Sequence, residues 1–384
     1  MAQDNYGFYM PVKLVFHKGA FRETAKEALI YSKKALVITD KPLLETGMLE
    51  PLFEDMKSLD MEYVVWSDIV PNPRDVDIDK GAEFARSCGA GVVIAIGGGS
   101  PMDTAKAMAA LMTNPGSISD YIGDKLVNEI APLICIPTTC GTGSEVTHES
   151  IINDTIQMKK VCMYGAKNSA KTAILDPLLL KGLPGHLLAS TGIDALTHAV
   201  EAYTCTAASP ITDALAMKAI TLIGKSLIKA AEEKDEDALT DMMNASVIAG
   251  MAFGNSNVAA VHCMAEALGG FYDIPHGVAN AMLLPVVSRY NVPGATKKYA
   301  EVAEGLGLDI STMTDEEAAY AGIDYIESMC RKLKIPKFSE IKNVNPKDFD
   351  FLAAAAEIKG PTKVNPVFVD KERYIELFEK AYAQ

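Results

Sequence analysis

GVVIAIGGGSPMDTAKAMAALM, residues 91–112, decides how the first half of the chain folds. It opens as a continuously apolar, β-branched run of strand length, the kind that suits a strand covered on both faces. Three consecutive glycines follow, allowing a tight turn whose backbone amides no side chain shields. From Ser100 the spacing becomes helical, with Ser100 the expected N-cap, Pro101 at the first helical position and Asp103 completing a Ser-x-x-Asp capping box. A helix N-terminus facing a glycine turn is a ready pyrophosphate site. Capping alone would explain the same residues, and consecutive glycines are not the GxGxxG dinucleotide fingerprint.

Outward from this junction, KLVF (13–16), ALVIT (35–39), YVVW (63–66) and LICIP (133–137) repeat the short apolar run. Helical spacing lies between them, in AFRETAKEALIYSKK and DIDKGAEFARSCG. Alternation of this kind predicts a mostly parallel sheet with helices on both sides. Asp40 ends ALVITD, where a carboxylate suits ribose hydroxyls and repels a 2′-phosphate, favouring NAD over NADP. The alternative for Asp40 is an N-cap before KPLLETG. After LICIP comes PTTCGTGSEVTHES, which puts the hydroxyls of Thr138, Thr139, Thr142, Ser144 and Thr147 near the carboxyl end of a strand, where open α/β sheets bind ligands.

DPLLLKGLPGHLLASTG (176–192) ends the strand pattern, and beyond it nearly every segment shows apolar residues at three and four spacing. Thr314 and Glu317 form a capping box before a stripe of Ile323, Ile326, Cys330 and Leu333; a last helix from about Asp370 places Ile375, Phe378 and Tyr382 on one side. The expected organisation is an α/β unit over residues 1–182 and an all-helical unit over 183–384. Within the second, TGIDALTHAVEAY and VHCMAEALGGFYDIPHG supply Asp194, His198, His262 and His276, three of the six histidines. Asp194 and His198 share one helix face, and breakers between His262 and His276 put those two on successive elements. One carboxylate and three imidazoles from facing helices suit a divalent iron or zinc ion. Singly, each residue would more simply be a surface pair or a core histidine.

Composition narrows the function. With 36 Lys and Arg against 50 Asp and Glu, the formal charge of −14 opposes attraction to nucleic acid or anionic membrane. There is neither an apolar run of membrane-spanning length nor a signal-peptide pattern at the start, so a cytoplasmic protein is expected. Seven cysteines without a CxxC pair read as reduced thiols, not a disulfide framework.

GGGSPMDTAK, PTTCGTGSEVT, ILDP, GIDALTHAVEAY and HCMAEALGGFYDIPHGVANAMLLP together resemble the iron-containing (group III) alcohol dehydrogenases over nearly the whole chain. The resemblance implies an N-terminal α/β dinucleotide-binding domain with a mostly parallel sheet, an all-α C-terminal metal-binding domain, and an active site in the cleft between them. It assigns the metal, Fe2+ with Zn2+ as the alternative, to Asp194, His198, His262 and His276. The cofactor, NAD(H) in preference to NADP(H), falls to Asp40, Gly97, Gly98, Gly99, Ser100, Asp103, Thr138, Thr139, Thr142, Thr147 and Lys160. The implied reaction is hydride transfer between nicotinamide and a small primary alcohol or aldehyde, with the metal as Lewis acid and a homodimer or larger homo-oligomer as the assembly. Glu149, Phe253 and Glu266 fall at the substrate pocket, and His276 and Glu266 are the candidate catalytic groups.

Glu266 departs from the resemblance, since similar enzymes usually have a histidine at this position. Two carboxylates, Glu149 and Glu266, would repel anions and favour a neutral polar or cationic substrate, with Glu266 able to relay a proton; a Glu266 that turns outward or pairs with a Lys or Arg would do neither. Zinc-dependent dehydroquinate synthase-like or glycerol-1-phosphate dehydrogenase-like enzymes are the alternative, but they need a basic cluster, and residues 250–280 contain no Lys or Arg. A non-enzymatic metal-binding protein is a third reading.

Overall fold

A computed structural model describes residues 5–157 and 159–384. The chain divides into two units. One comprises Tyr9–Thr139 and Gly143–Gly182, the other Leu183–Gln384 with Cys140–Thr142 and the described residues up to Phe8.

The first unit holds β1 (Lys13–Phe16), β2 (Lys34–Ile38), β3 (Glu62–Trp66), β4 (Val92–Gly97), β5 (Leu133–Pro137), β6 (Glu149–Asp154), β7 (Lys159–Tyr164) and β8 (Thr172–Leu175). Six of these form one parallel sheet in the order β1-β8-β5-β4-β2-β3. Its helices are α1 (Thr24–Leu29), α2 (Lys41–Glu45), α3 (Glu50–Ser58), α4 (Asp75–Ser87) and α5 (Gly99–Thr113). Val37, Ile94, Ile96, Ile134, Ile136 and Ile174 project from one sheet face onto Ala25, Ala28, Leu52 and Met56, all fully or almost fully buried. Burial of each of the large side chains contributes about 1.5–3 kcal/mol. The chain runs from β2 outward to β3 and then back across to β4, so the strand order reverses between β2 and β4, the place where open α/β sheets bind ligands. Asp40 follows β2 and the glycine turn follows β4, one on each side of that switch.

Two features were not expected. Strands β6 and β7 pair antiparallel as a separate ribbon, and β8, inside the ILDP region, enters the sheet between β1 and β5.

The second unit consists of α6 (Gly185–Thr204), α7 (Pro210–Glu233), α8 (Glu236–Phe253), α9 (Ala260–Tyr272), α10 (His276–Gly305), α11 (Asp315–Lys332), α12 (Phe349–Glu357) and α13 (Lys371–Ala383). The Thr314–Glu317 box caps α11, whose Ile323, Ile326 and Cys330 are buried; Asp370 caps α13, accepting from the amide of Arg373 at 2.9 Å. The buried face of α13 is Tyr374, Leu377, Phe378 and Ala381, rotated from the expected Ile375 and Tyr382, because that face packs a continuous i, i+3, i+4, i+7 set. Helix α6 is buried all round from Ile193 to Thr204, as a central helix of a bundle must be. Among the described residues no helix is long and apolar enough to cross a membrane.

Candidate metal centre and cofactor loop

Helix α6 places Asp194, His198 and Glu201 at i, i+4 and i+7, one stripe on one face. His262 sits in the first turn of α9 and His276 is the first residue of α10. Their arrival beside α6 depends on Gly277. A Cβ there would lie 2.7 Å from the carbonyl oxygen of Ser190 and 3.4 Å from Asp194 Cβ, so only glycine lets the start of α10 close onto α6.

One ligating atom each from Asp194, His198, His262 and His276 lies within 4.8 Å of the others. The first three residues are buried; the His276 side chain is about one-third exposed, leaving one side of the quartet accessible. Bonds of about 2.0–2.1 Å to nitrogen or oxygen put tetrahedral ligands about 3.4 Å apart, so small inward movements would close the set on an ion. Asn280, one turn after His276 and fully buried, points its Nδ2 between three of these ligands, 2.6 Å from Asp194 Oδ1 and 3.1 Å from both His262 Nε2 and His276 Nε2. Three acceptors converging on one point fit a cation there.

Glu201 completes the arrangement. Its Oε1 accepts from the Val261 amide at 2.7 Å, and its Oε2 lies 2.5 Å from His262 Nδ1, which leaves Nε2 to face the quartet. An acid on the far nitrogen of a ligating imidazole fixes tautomer and ring orientation. Glu201 and Asn280 were not singled out from the sequence, although their spacing from His198 and His276 was the available signal.

Charge follows the same geometry. Burial would raise the Asp194 carboxyl, but three imidazoles pull it below its ordinary range. Burial drives His198 down to about 3 against the attraction of Asp194, keeping it neutral. Burial also opposes charge on His262, yet the bond to Glu201 holds its pKa above normal. Phe253, at the end of α8, stacks on the His198 ring with centroids 4.2 Å apart.

In the α/β unit, α5 starts two residues earlier than expected, with Gly98 as N-cap and no side chain capping it. Ser100 is therefore inside the helix, and the Ser100–Asp103 capping box does not form. Asp103 turns instead to accept from Ser144 Oγ at 2.9 Å and the Ile151 amide at 3.1 Å, so it ties α5 to the loop and ribbon. Gly97 has φ 146° and its Cβ would meet Pro101 at 2.6 Å, which makes glycine obligatory. Gly98 and Gly99 leave the amides that begin α5 open to an anion.

Lys106, fully buried, was also missed. Its Nζ donates to Ser144 Oγ (3.1 Å), the Thr147 carbonyl (3.0 Å) and the Glu149 carbonyl (2.8 Å), which fastens the threonine loop to α5. Thr138 and Thr147 are buried, Thr139 lies against Gly98, and Thr142 groups with the helical unit. Lys160 is on β7 and Glu149 begins β6. Asp40 caps α2, accepting from the Leu43 amide at 2.8 Å, while its Oδ2 stays beside Gly97; its capping role is established.

Glu266 corrects the charge argument. It is paired with Lys359, Oε2 to Nζ 2.7 Å. The cation that residues 250–280 lack is brought from far along the chain, so Glu266 presents no uncompensated negative charge and the repulsion expected of it falls away.

A quartet of one carboxylate and three imidazoles suits a divalent metal, and a glycine turn at the switch point of a parallel sheet suits a phosphate-bearing cofactor. The profile of the iron-containing alcohol dehydrogenases matches residues 11–177, and that of the C-terminal region of the Fe-containing alcohol dehydrogenase family matches 188–382. The chain is 37% identical to 1,3-propanediol dehydrogenase of Citrobacter freundii over 92% of each chain. A crystal structure of 1,3-propanediol oxidoreductase superposes with a TM-score of 0.95 at 35% identity, covering 98% of this chain and 100% of the other. Sulfoacetaldehyde reductase from Bifidobacterium kashiwanohense in complex with NAD+ gives 0.89 at 29% identity, with all of both chains covered. The chain belongs to the iron-containing alcohol dehydrogenase family, which selects that reading over the dehydroquinate synthase-like alternative.

Proposed function

We propose that the chain interconverts a small primary alcohol and its aldehyde with NAD(H), using a divalent metal, Fe2+ in preference to Zn2+, held by Asp194, His198, His262 and His276. The observation that carries this reading is the convergence of those four ligating atoms within 4.8 Å. When bound, the metal supplies Lewis acidity to the substrate oxygen. Asp194 provides the negative charge of the site, neutral His198 provides an uncharged donor, His276 completes the quartet, and Glu201 orients His262. The open amides of α5 and the Lys106-anchored threonine loop would receive the pyrophosphate, with Asp40 favouring NAD by repelling a 2′-phosphate. Similarity to a 1,3-propanediol dehydrogenase and to a sulfoacetaldehyde reductase supports alcohols and aldehydes as substrates. We also infer a cytoplasmic homo-oligomer.

The test is anaerobic purification with metal analysis, followed by NADH and NADPH oxidation with small aldehydes. Asp194→Ala and His262→Ala each lose both metal and turnover; retention of both by either variant removes the assignment.

A further inference from the structure

We propose that Glu266 and Lys359 form a charge-compensated pair that sets the substrate class, admitting small neutral polar aldehydes and alcohols and discriminating against both anionic and cationic ones. This rests on the function proposed above.

The pair is placed, not incidental. Glu266 follows His262 by four residues on α9, hence on the same face one turn away. One turn rises about 5.4 Å, the length of a three- or four-carbon chain. A small substrate whose oxygen lies at the His262 end and whose chain runs along that face would have its far end beside Glu266. Lys359 sits between α12 and a short 3-10 turn, Gly360–Val364, that is tied to α9. Thr362 Oγ1 donates to Cys263 Sγ at 3.4 Å, and Asn365 Oδ1 accepts from the Ala260 amide at 3.3 Å. These contacts tie the segment that follows Lys359 to α9, and the Lys359 ammonium lies 2.7 Å from Glu266, with each side chain 20% exposed.

Cys263 is held neutral by burial, its pKa pushed up to about 12, and Glu201 is committed to His262 and the Val261 amide. Removing one partner would leave a half-buried charge without its counter-charge. At about 6 Å and an effective dielectric of about 20, such a charge is strong enough to change selectivity at least tenfold.

The experiment measures kcat/KM for 3-hydroxypropionaldehyde (neutral), succinate semialdehyde (anionic) and betaine aldehyde (cationic) in the metal-loaded protein. The parent favours the neutral aldehyde over both others. Lys359→Gln raises the cationic-to-neutral ratio tenfold or more, Glu266→Gln raises the anionic-to-neutral ratio likewise, and the double variant returns both towards the parent. The exchange Glu266→Lys with Lys359→Glu retains the pairing and so the neutral preference. Ratios within twofold of the parent in the single variants would overturn the proposal, as would a parent that reduces either charged aldehyde as well as the neutral one. The second criterion needs no variant, so poor folding of a mutant does not shelter the idea. A parent that reduces no aldehyde with NADH strikes the proposed function instead, which separates the two failures.

Discussion

Replacing Glu201 with glutamine keeps the side-chain shape and removes the charge that holds His262 with Nε2 towards the quartet. Outer partners of ligating histidines affect metal affinity about 10–100-fold. Glu201→Gln is expected to weaken metal binding by that factor in chelator competition, with an unchanged circular dichroism spectrum; an unchanged affinity would mean His262 needs no orienting partner. Glu145 offers a second residue-scale test. Its carboxyl is buried, with Oε1 lacking a partner, and burial raises its pKa from 4.5 to about 7 despite the nearby Lys106. Between pH 4.5 and 7 the native state thus holds more protons than the unfolded one, so this group lowers stability as pH rises and its full cost applies above about 7. The cost is on the order of 3 kcal/mol, since a tenfold change in proton affinity is worth about 1.4 kcal/mol. Glu145→Gln should therefore raise the melting temperature more at pH 8 than at pH 5. Equal gains at both would show that the carboxyl is not ionising inside the fold.

At the scale of elements, the start of α10 is the joint on which the quartet depends. Gly277→Ala must push a Cβ out of a 2.7 Å approach to a backbone oxygen, so α10 has to move away from α6. Overpacking of this kind costs about 1–3 kcal/mol. Because His276 moves with the helix, metal content per chain is expected to fall further than the melting temperature alone would suggest. A fully metallated Gly277→Ala protein would refute that coupling. The same elements show what sequence can reveal. Strands β1 to β5 and the long helices were legible because apolar period is a local property, and Asp194 with His198 because one helical turn is local too. The β6–β7 ribbon was not, since ESIIND and KKVCMY mix charge with apolar residues and lack a run of either period. β8 is only four residues long and is recruited by its neighbours β1 and β5. Ser100 satisfied every local rule for an N-cap, yet the helix begins at Gly99, where unshielded amides suit an anion better. Lys359 lies so far from Glu266 in sequence that nothing local could pair them.

For the whole molecule, the division of labour between the units makes a spatial prediction. All four proposed metal ligands belong to the helical unit, whereas the glycine turn, Asp40 and Lys106 belong to the α/β unit. A ligand that binds only the native state stabilises it by RT ln(1 + [L]/Kd), about 4 kcal/mol at a thousandfold excess over Kd. That stabilisation appears first as slower local opening around the bound group. Amide hydrogen exchange on the chelated protein should therefore respond to Fe2+ or Zn2+ with added protection in α6, α9 and the first turns of α10. NAD+ added to the chelated protein should protect 97–106 and 138–147 instead. Metal-induced protection confined to the α/β unit would place the ion elsewhere and remove the quartet from the mechanism. Protection by NAD+ confined to the helices would do the same for the glycine turn, so each half of the proposed chemistry stands on its own readout.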